Sequence, residues 1–339
     1  MKIPGFFLTP VAASLLAVAP AFVSLPVQAQ GDPAALVDGL ENLVGGKKPG
    51  FRRSGAKGIC AAGEFVGSAE GRALSTASIF SGSTIPVTVR FAITGPNPNA
   101  PDKVRGARGL SLDFKLPKDE QFQMANLSTP VFTASKPETF GGFLESRRPD
   151  PATKAPDPAK VKAFNEANPE VLIQAKYLAG EPVPAGYANM NYWGVHAFAF
   201  VNSKGQKQFV KWVFEPVDGV KGLSDEELKA KPDAFAFDEL RKRVAAGPIE
   251  FNFKVQLAEA GDNLTSATVP LPSERKTVTA GKLRIKQVEA GDGGACDRIT
   301  FNPTVLPKGI EASADPMLLI RSSTYVLSLV RRLGETASK

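Results

Sequence analysis

A single histidine, His196, and two cysteines, Cys60 and Cys296, are all that 339 residues contain of the side chains most used in nucleophilic and metal chemistry. A zinc site wants four such ligands, and two cysteines far apart in the chain with one histidine do not supply them. Any serine, cysteine or metal mechanism would have to be built around His196. That residue lies in a strand-like run, Gly194 to Val201, where a lone histidine is ordinarily a packed, hydrogen-bonded residue. Neither GxGxxG nor GxxxxGK occurs, so neither common phosphate-cradling loop is present. Two cysteines are too few for a disulfide scaffold. They either form one long-range bridge, worth about 4–5 kcal/mol on the chain-entropy reckoning, or stay as two buried thiols.

Charge of one sign is not massed anywhere. Lys plus Arg number 41 against 34 Asp plus Glu, a formal net charge of +7 spread along the chain, which argues against a nucleic-acid partner. The one long apolar run is N-terminal. Met1 and Lys2 precede a stretch rich in Phe, Leu, Ala and Val up to Val27, interrupted by Pro10, Pro20 and Pro26 and followed by small residues at Val27-Gln28-Ala29. This is the pattern of a signal peptide cleaved after Ala29. The expectation is a leader at residues 1–29, a periplasmic or secreted protein, no stable membrane anchor after cleavage, and a single domain at 30–339. A domain of that size buries enough surface to fold without staples.

Pro33 to Leu43 reads as a short helix closed by Gly45 and Gly46. Ile85–Ile93, Gly109–Phe114, Val195–Val201, Gln208–Phe214 and Ile249–Leu257 alternate apolar with polar or small residues, as half-buried strands do. Thr139 to Lys176 reads as helix and loop with a proline-rich interruption at Pro149–Pro158, wrapping the outside of the sheet. Asp315–Leu333 has helical spacing and closes at Gly334. The pattern alone gives an all-β barrel or an α+β domain with helical additions.

On the last helix, Arg321, Tyr325 and Arg332 are spaced by four and then seven residues and share a face. An arginine one turn before a tyrosine favours the phenolate, the form that ligates ferric iron, and a further basic residue can hold a carboxylate.

Five segments in order carry a resemblance that goes further. Arg52–Gly58 reads R-R-S-G-A-K-G; Asp102–Phe114 reads D-K-V-R-G-A-R-G-L-S-L-D-F; Thr129–Phe132 reads T-P-V-F with Phe140 beyond it; Gly194–Asn202 reads G-V-H-A-F-A-F-V-N; and Arg321-x-x-x-Tyr325 is followed by Arg332. In this order and spacing the chain resembles the catalase superfamily, in particular its small, exported, catalase-related peroxidases. The resemblance implies an α+β fold, an antiparallel β-barrel core with surrounding helices. It implies heme b (haem) as cofactor, Tyr325 as iron ligand held ionised by Arg321, and Arg52, Arg90 and Arg332 at the propionates. Phe132 and Phe140 would pack by the porphyrin, and His196 would be structural. It implies a peroxidase acting on hydrogen peroxide or organic hydroperoxides with a small-molecule electron donor, as a monomer or homodimer. The chain departs from the pattern at Gly55, where the family's distal histidine stands, and activity should be weakened accordingly. The distal asparagine is expected at Asn126, although an ungapped alignment places Leu127 there, so a local bulge is required. Ser54, Lys57 and Asn126 are the neighbours that would have to replace the histidine through water. The alternatives are a non-enzymatic haem-binding protein and a haem-free exported barrel for an apolar ligand.

Overall fold

The computed structural model describes Met1, residues 31–290 and residues 294–337. The expected leader lies outside the described residues. Residues 31–339 form one compact unit, and among the described residues no helix is long and apolar enough to cross a membrane.

Eight antiparallel strands close into a barrel: β1 (Gly58–Gly67), β2 (Thr84–Ile93), β3 (Arg108–Lys115), β4 (Gln121–Leu127), β5 (Tyr192–Val201), β6 (Lys207–Pro216), β7 (Ile249–Leu257) and β8 (Thr277–Val288). Each pairs with the next, β8 pairs with β1, and β4 meets β5 through the single pair Leu127–Trp193. A short strand, β9 (Ile310–Ala312), adds to β5. Alternation decides which face each residue takes. Ile85, Val87, Val89 and Phe91 of β2 and Leu110, Leu112 and Phe114 of β3 point inward, where they meet Phe65, Phe198, Trp212, Phe214 and Phe253 in one aromatic core. Edge-to-face and offset contacts such as Phe65–Phe114 at 5.6 Å and Phe214–Phe253 at 4.8 Å fill the barrel, so its lumen is core and any site must lie outside it.

Helices supply that outside layer: α1 (Pro33–Asn42), α2 (Ala69–Leu74), α3 (Pro137–Ser146), α4 (Pro158–Ala167), α5 (Val171–Gly180), α6 (Asp225–Ala230), α7 (Ala236–Ala245), α8 (Pro316–Leu319) and α9 (Arg321–Ala337). Asp-Pro pairs start three of them. Asp32, Asp157 and Asp315 each accept a hydrogen bond from a first-turn backbone N–H, with proline at the first helical position. The C-terminal helix departs from expectation twice: it breaks at Ile320, between α8 and α9, and it runs on through Gly334 to Ala337. Leu36 of α1, Leu144 of α3 and Ile320 bury one another in a small second core, which fastens α9 beside the barrel wall.

Cys60 and Cys296 are bridged, with Cα atoms 5.5 Å apart and a sequence separation of 236. This settles the two alternatives the sequence left open.

Candidate functional site

A cavity lies between α9 and the outer face of β2, β3 and β4. Register places Arg90 opposite Ser111 and Ser111 opposite Ala125; one step along, Ala92 faces Gly109 and Gly109 faces Leu127. These six side-chain positions form the barrel-side wall, and Arg321, Tyr325 and Arg332 enter from α9. A second lobe, lined by Leu36, Phe132, Phe140, Phe143 and Ile320, shares Leu40, Ser54, Thr94, Leu127, Arg321, Thr324 and Tyr325 with the first. The result is one slot with a basic end, an apolar end and a phenol in its wall.

The phenol is held in place. Arg321 Nε donates to the Tyr325 oxygen at 3.0 Å, and Nη2 donates to the same atom. The third direction of that guanidinium, Nη1, reaches His196 Nε2 at 3.1 Å, and His196 Nδ1 lies 2.8 Å from Asp315 Oδ2. Burial is the main influence on His196 and lowers its pKa below the ordinary histidine value, against the pull of the Asp315 hydrogen bond. Because a guanidinium only donates, Nε2 accepts from Arg321, which leaves Nδ1 to donate to Asp315. Asp315 is itself fixed by accepting from Met317 N at 2.8 Å as the cap of α8. His196 can reach α9 because the β5–β6 register breaks between Gly194 and Phe198, an irregularity of the kind that re-aims side chains. His196 is packed and hydrogen-bonded as expected, but it also supports Arg321. Asp315 was missed: its D-P pair signals a helix start, and nothing local signals a partner 119 residues away.

At the basic end, Arg52, Arg90 and Arg332 line one lobe. Burial first, then repulsion from Arg90 and Arg332, bring Arg52 down to about 9, and burial brings Arg90 down to about 10. Arg332 is lowered by burial too. Asp297 pulls all three the other way. Arg52 Nε is buried with no hydrogen-bond partner, which marks an acceptor site in the cavity. Gly58 is the glycine this end requires, since a Cβ there would stand 2.3 Å from the Arg90 guanidinium. Phe132 and Phe140 meet at 5.2 Å between ring centres in the apolar lobe, with Phe143 stacked on Phe140 at 6.3 Å.

The barrel-side wall corrects one expectation. β4 carries no bulge against β3 from Gln121 to Leu127, so Leu127 faces the cavity with Ala125. The Asn126 side chain turns into the barrel, donating to Leu110 O at 3.0 Å and accepting from Trp212 Nε1 at 2.8 Å. Lys57 is likewise engaged, with Asp102 at 2.7 Å and Ala100 O at 2.9 Å. Of the three neighbours considered as substitutes, Ser54 lines both lobes, Asn126 borders the first with its amide turned away, and Lys57 lines neither. Gly55 lines the same lobe in a left-handed conformation, φ +64°.

The fold and motif order can be set beside known proteins. The family description "Catalase" matches residues 47–339. The chain is similar to a "Catalase-related peroxidase" of Synechococcus elongatus, 42% identical over 300 residues that make up 88% of each protein. It is also similar to a "Catalase-related peroxidase" of Mycolicibacterium paratuberculosis, 31% identical over 305 residues, 89% of this chain and 95% of that one. A bacterial catalase structure superposes with a TM-score of 0.76 at 22% identity, over 84% of this chain and 58% of the other. A fungal catalase structure gives 0.77 at 23% identity, over 86% and 61%.

Proposed function

The chain belongs to the catalase family, and on that footing we propose that it is an exported haem-dependent peroxidase, acting on hydrogen peroxide or organic hydroperoxides with an external donor and cleaving peroxide slowly. The observation that carries the haem reading is the phenol oxygen of Tyr325, facing a slot whose far end gathers three arginines around an unpartnered buried N–H. That is the donor set for a flat, apolar group with an oxyphilic metal and carboxylate tails. Tyr325 would hold the iron, Arg52, Arg90 and Arg332 the propionates, and Phe132 and Phe140 the apolar edge. Bound haem would supply the redox chemistry.

The chain's own contribution is unequal on the two sides. On the α9 side, two Arg321 N–H groups stabilise negative charge on the Tyr325 oxygen, and His196 and Asp315 keep that guanidinium from swinging away. On the barrel side, Gly55 and Leu127 offer neither a proton acceptor nor an amide. Moving a proton between the two peroxide oxygens is then left to water and the Ser54 hydroxyl, which forgoes a general acid–base contribution of roughly 100- to 10,000-fold.

The test is the absorption spectrum of the purified ferric protein, followed by peroxide with and without free imidazole. A Soret band that Tyr325→Phe abolishes or shifts, with a slow peroxide reaction accelerated by imidazole, is the expected result. No Soret band after expression with ample haem refutes it. The apolar barrel-side wall also favours a second reading, haem binding without turnover, which holds if peroxide leaves an electron donor unoxidised.

A further inference from the structure

One loop serves the basic end of the cavity in four ways. Arg52 Nη2 donates to three of its carbonyls, Cys296 O at 2.9 Å, Asp297 O at 3.1 Å and Ile299 O at 2.7 Å. The Phe301 ring lies under the same guanidinium at 5.6 Å. The Asp297 carboxylate faces Arg52, Arg90 and Arg332. Thr300 and Phe301 line the cavity itself.

The described part of the loop is irregular and is tied to β1 and β4, where Gln123 N donates to Val305 O at 3.0 Å. Asn302 N donates to Gln123 Oε1 at 2.7 Å, Glu289 N donates to Cys60 O at 3.0 Å, and the Cys60–Cys296 bridge ties its centre. Cys60 stands directly across from Arg90 in the β1–β2 register, so the bridge anchors the loop behind the arginine cluster. Cys60, Cys296, Phe301 and Ile299 form an apolar cluster apart from the barrel core. Convergence of three carbonyls on one nitrogen survives only while the loop backbone is fixed, and Phe301 is held with φ +52°, a left-handed backbone uncommon outside glycine.

We propose that the Cys60–Cys296 disulfide is a redox-dependent clasp for the cavity: closed, it holds the carbonyl cradle that positions Arg52 against an anionic ligand, and opened, it releases Arg52 and that ligand. Opening takes two electrons from a dithiol. One thiolate of the dithiol attacks a bridge sulfur and releases the first cysteine, its second thiolate then attacks its own sulfur in the mixed disulfide and releases the other cysteine, and the products are two cysteine thiols and an oxidised dithiol. Both sulfurs are buried beneath the loop, so attack requires the loop to lift, and bound ligand slows it. Arg52 is here a positioning target, and the cysteines act only through it.

The inference rests on the haem reading for the identity of the ligand alone. Haem-loaded full-length protein is reduced with dithiothreitol until two thiols titrate. Haem loss to an acceptor apoglobin and hydrogen exchange of residues 50–56 and 294–302 are then followed, with a Cys60→Ser/Cys296→Ser variant as the reductant-free counterpart. Expected are haem loss at least tenfold faster, faster exchange in both segments and an unchanged far-ultraviolet dichroism spectrum. Arg52→Gln should lose haem quickly with the bridge intact, and reduction should accelerate it less than twofold further. An unchanged loss rate after reduction, equal acceleration in Arg52→Gln, or global unfolding on reduction each overturns the clasp. A chain that takes up no haem refutes the haem reading instead, and exchange at 50–56 and 294–302 still decides: faster on reduction supports the clasp, unchanged refutes it.

Discussion

Installing a histidine at position 55 separates what the cavity wall lacks from what the rest of the site supplies. A Cβ at Gly55 would stand 3.3 Å from Ala92 Cβ and 3.4 Å from Arg90 Nη1, so the new side chain must nudge its neighbours by a few tenths of an ångström. The left-handed backbone at φ +64° adds about 1–2 kcal/mol for a residue with a Cβ. Gly55→His is therefore expected to lower Tm by roughly 2–6 °C. Against that, a neutral imidazole beside the peroxide restores general acid–base transfer, and the second-order rate of the haem spectral change on mixing with hydrogen peroxide should rise about 100-fold or more. The gain should disappear below about pH 6.5, where the imidazole is protonated and accepts nothing. Gly55→Ala is the control, with the same loss of stability and no gain in rate. Free imidazole should accelerate the parent and leave Gly55→His unaffected. Leu127→Asn, which returns an amide to the wall, should help Gly55→His more than it helps the parent, because one group moves the proton and the other holds the oxygen. A folded, haem-loaded Gly55→His that reacts within threefold of the parent would refute the assignment of this wall.

Other expectations follow from the opposite side and from the basic end. Tyr325→Phe removes the phenol oxygen and should abolish the parent Soret band while leaving Tm of the haem-free protein within a few degrees, since the tyrosine is only half-buried. Asp315→Ala strips both the α8 cap and the His196 partner and should cost about 3 kcal/mol in denaturant unfolding. Because burial holds His196 below its ordinary value, the unfolded chain binds that proton first as pH falls. Stability should decline by up to about 1.4 kcal/mol per pH unit below pH 6.5, and His196→Gln should flatten that slope. Arg90, brought down to about 10 by burial, is a buried cation whose penalty is fully present below pH 10 and fades as pH rises toward 12.5. Arg90→Leu should stabilise the haem-free protein at pH 7 by up to about 3 kcal/mol and speed haem loss at least tenfold, measured by Tm and by transfer to an acceptor globin.

Much of the fold was legible because local chemistry and tertiary context agree. Alternation marks β2, β3, β5, β6 and β7, and the run Pro33–Leu43 closed by glycines marks α1. Of the strands missed, β4 alternates regularly, β9 is only three residues long, and β1 and β8 have broken or diluted alternation. β1 is rich in Gly and Ala and shifts register between Ala62 and Gly63. In β8 the inward residues change phase, from half-buried Val278 and buried Ala280 to Gly281, Leu283 and Ile285. Closure of the barrel rests on one pair, Leu127–Trp193, and a single long-range contact has no sequence signature.

The site shows the same division for a different reason. On α9 each side chain answers to several others: removing Arg321 strands His196 Nε2, and removing Asp315 strands both the His196 N–H and the start of α8. A buried group left without its partner costs about 1–3 kcal/mol, so this wall is tied to the stability of the fold, and its spacing can be read from sequence alone. Gly55 and Leu127 face open cavity and leave no orphan when changed. The wall to which we assign peroxide cleavage is thus the one whose side chains fewer hydrogen-bond partners depend on. Position 126 shows how narrowly it is read: a shift of one residue exchanges an amide locked to Trp212 inside the barrel for a leucine side chain facing the ligand.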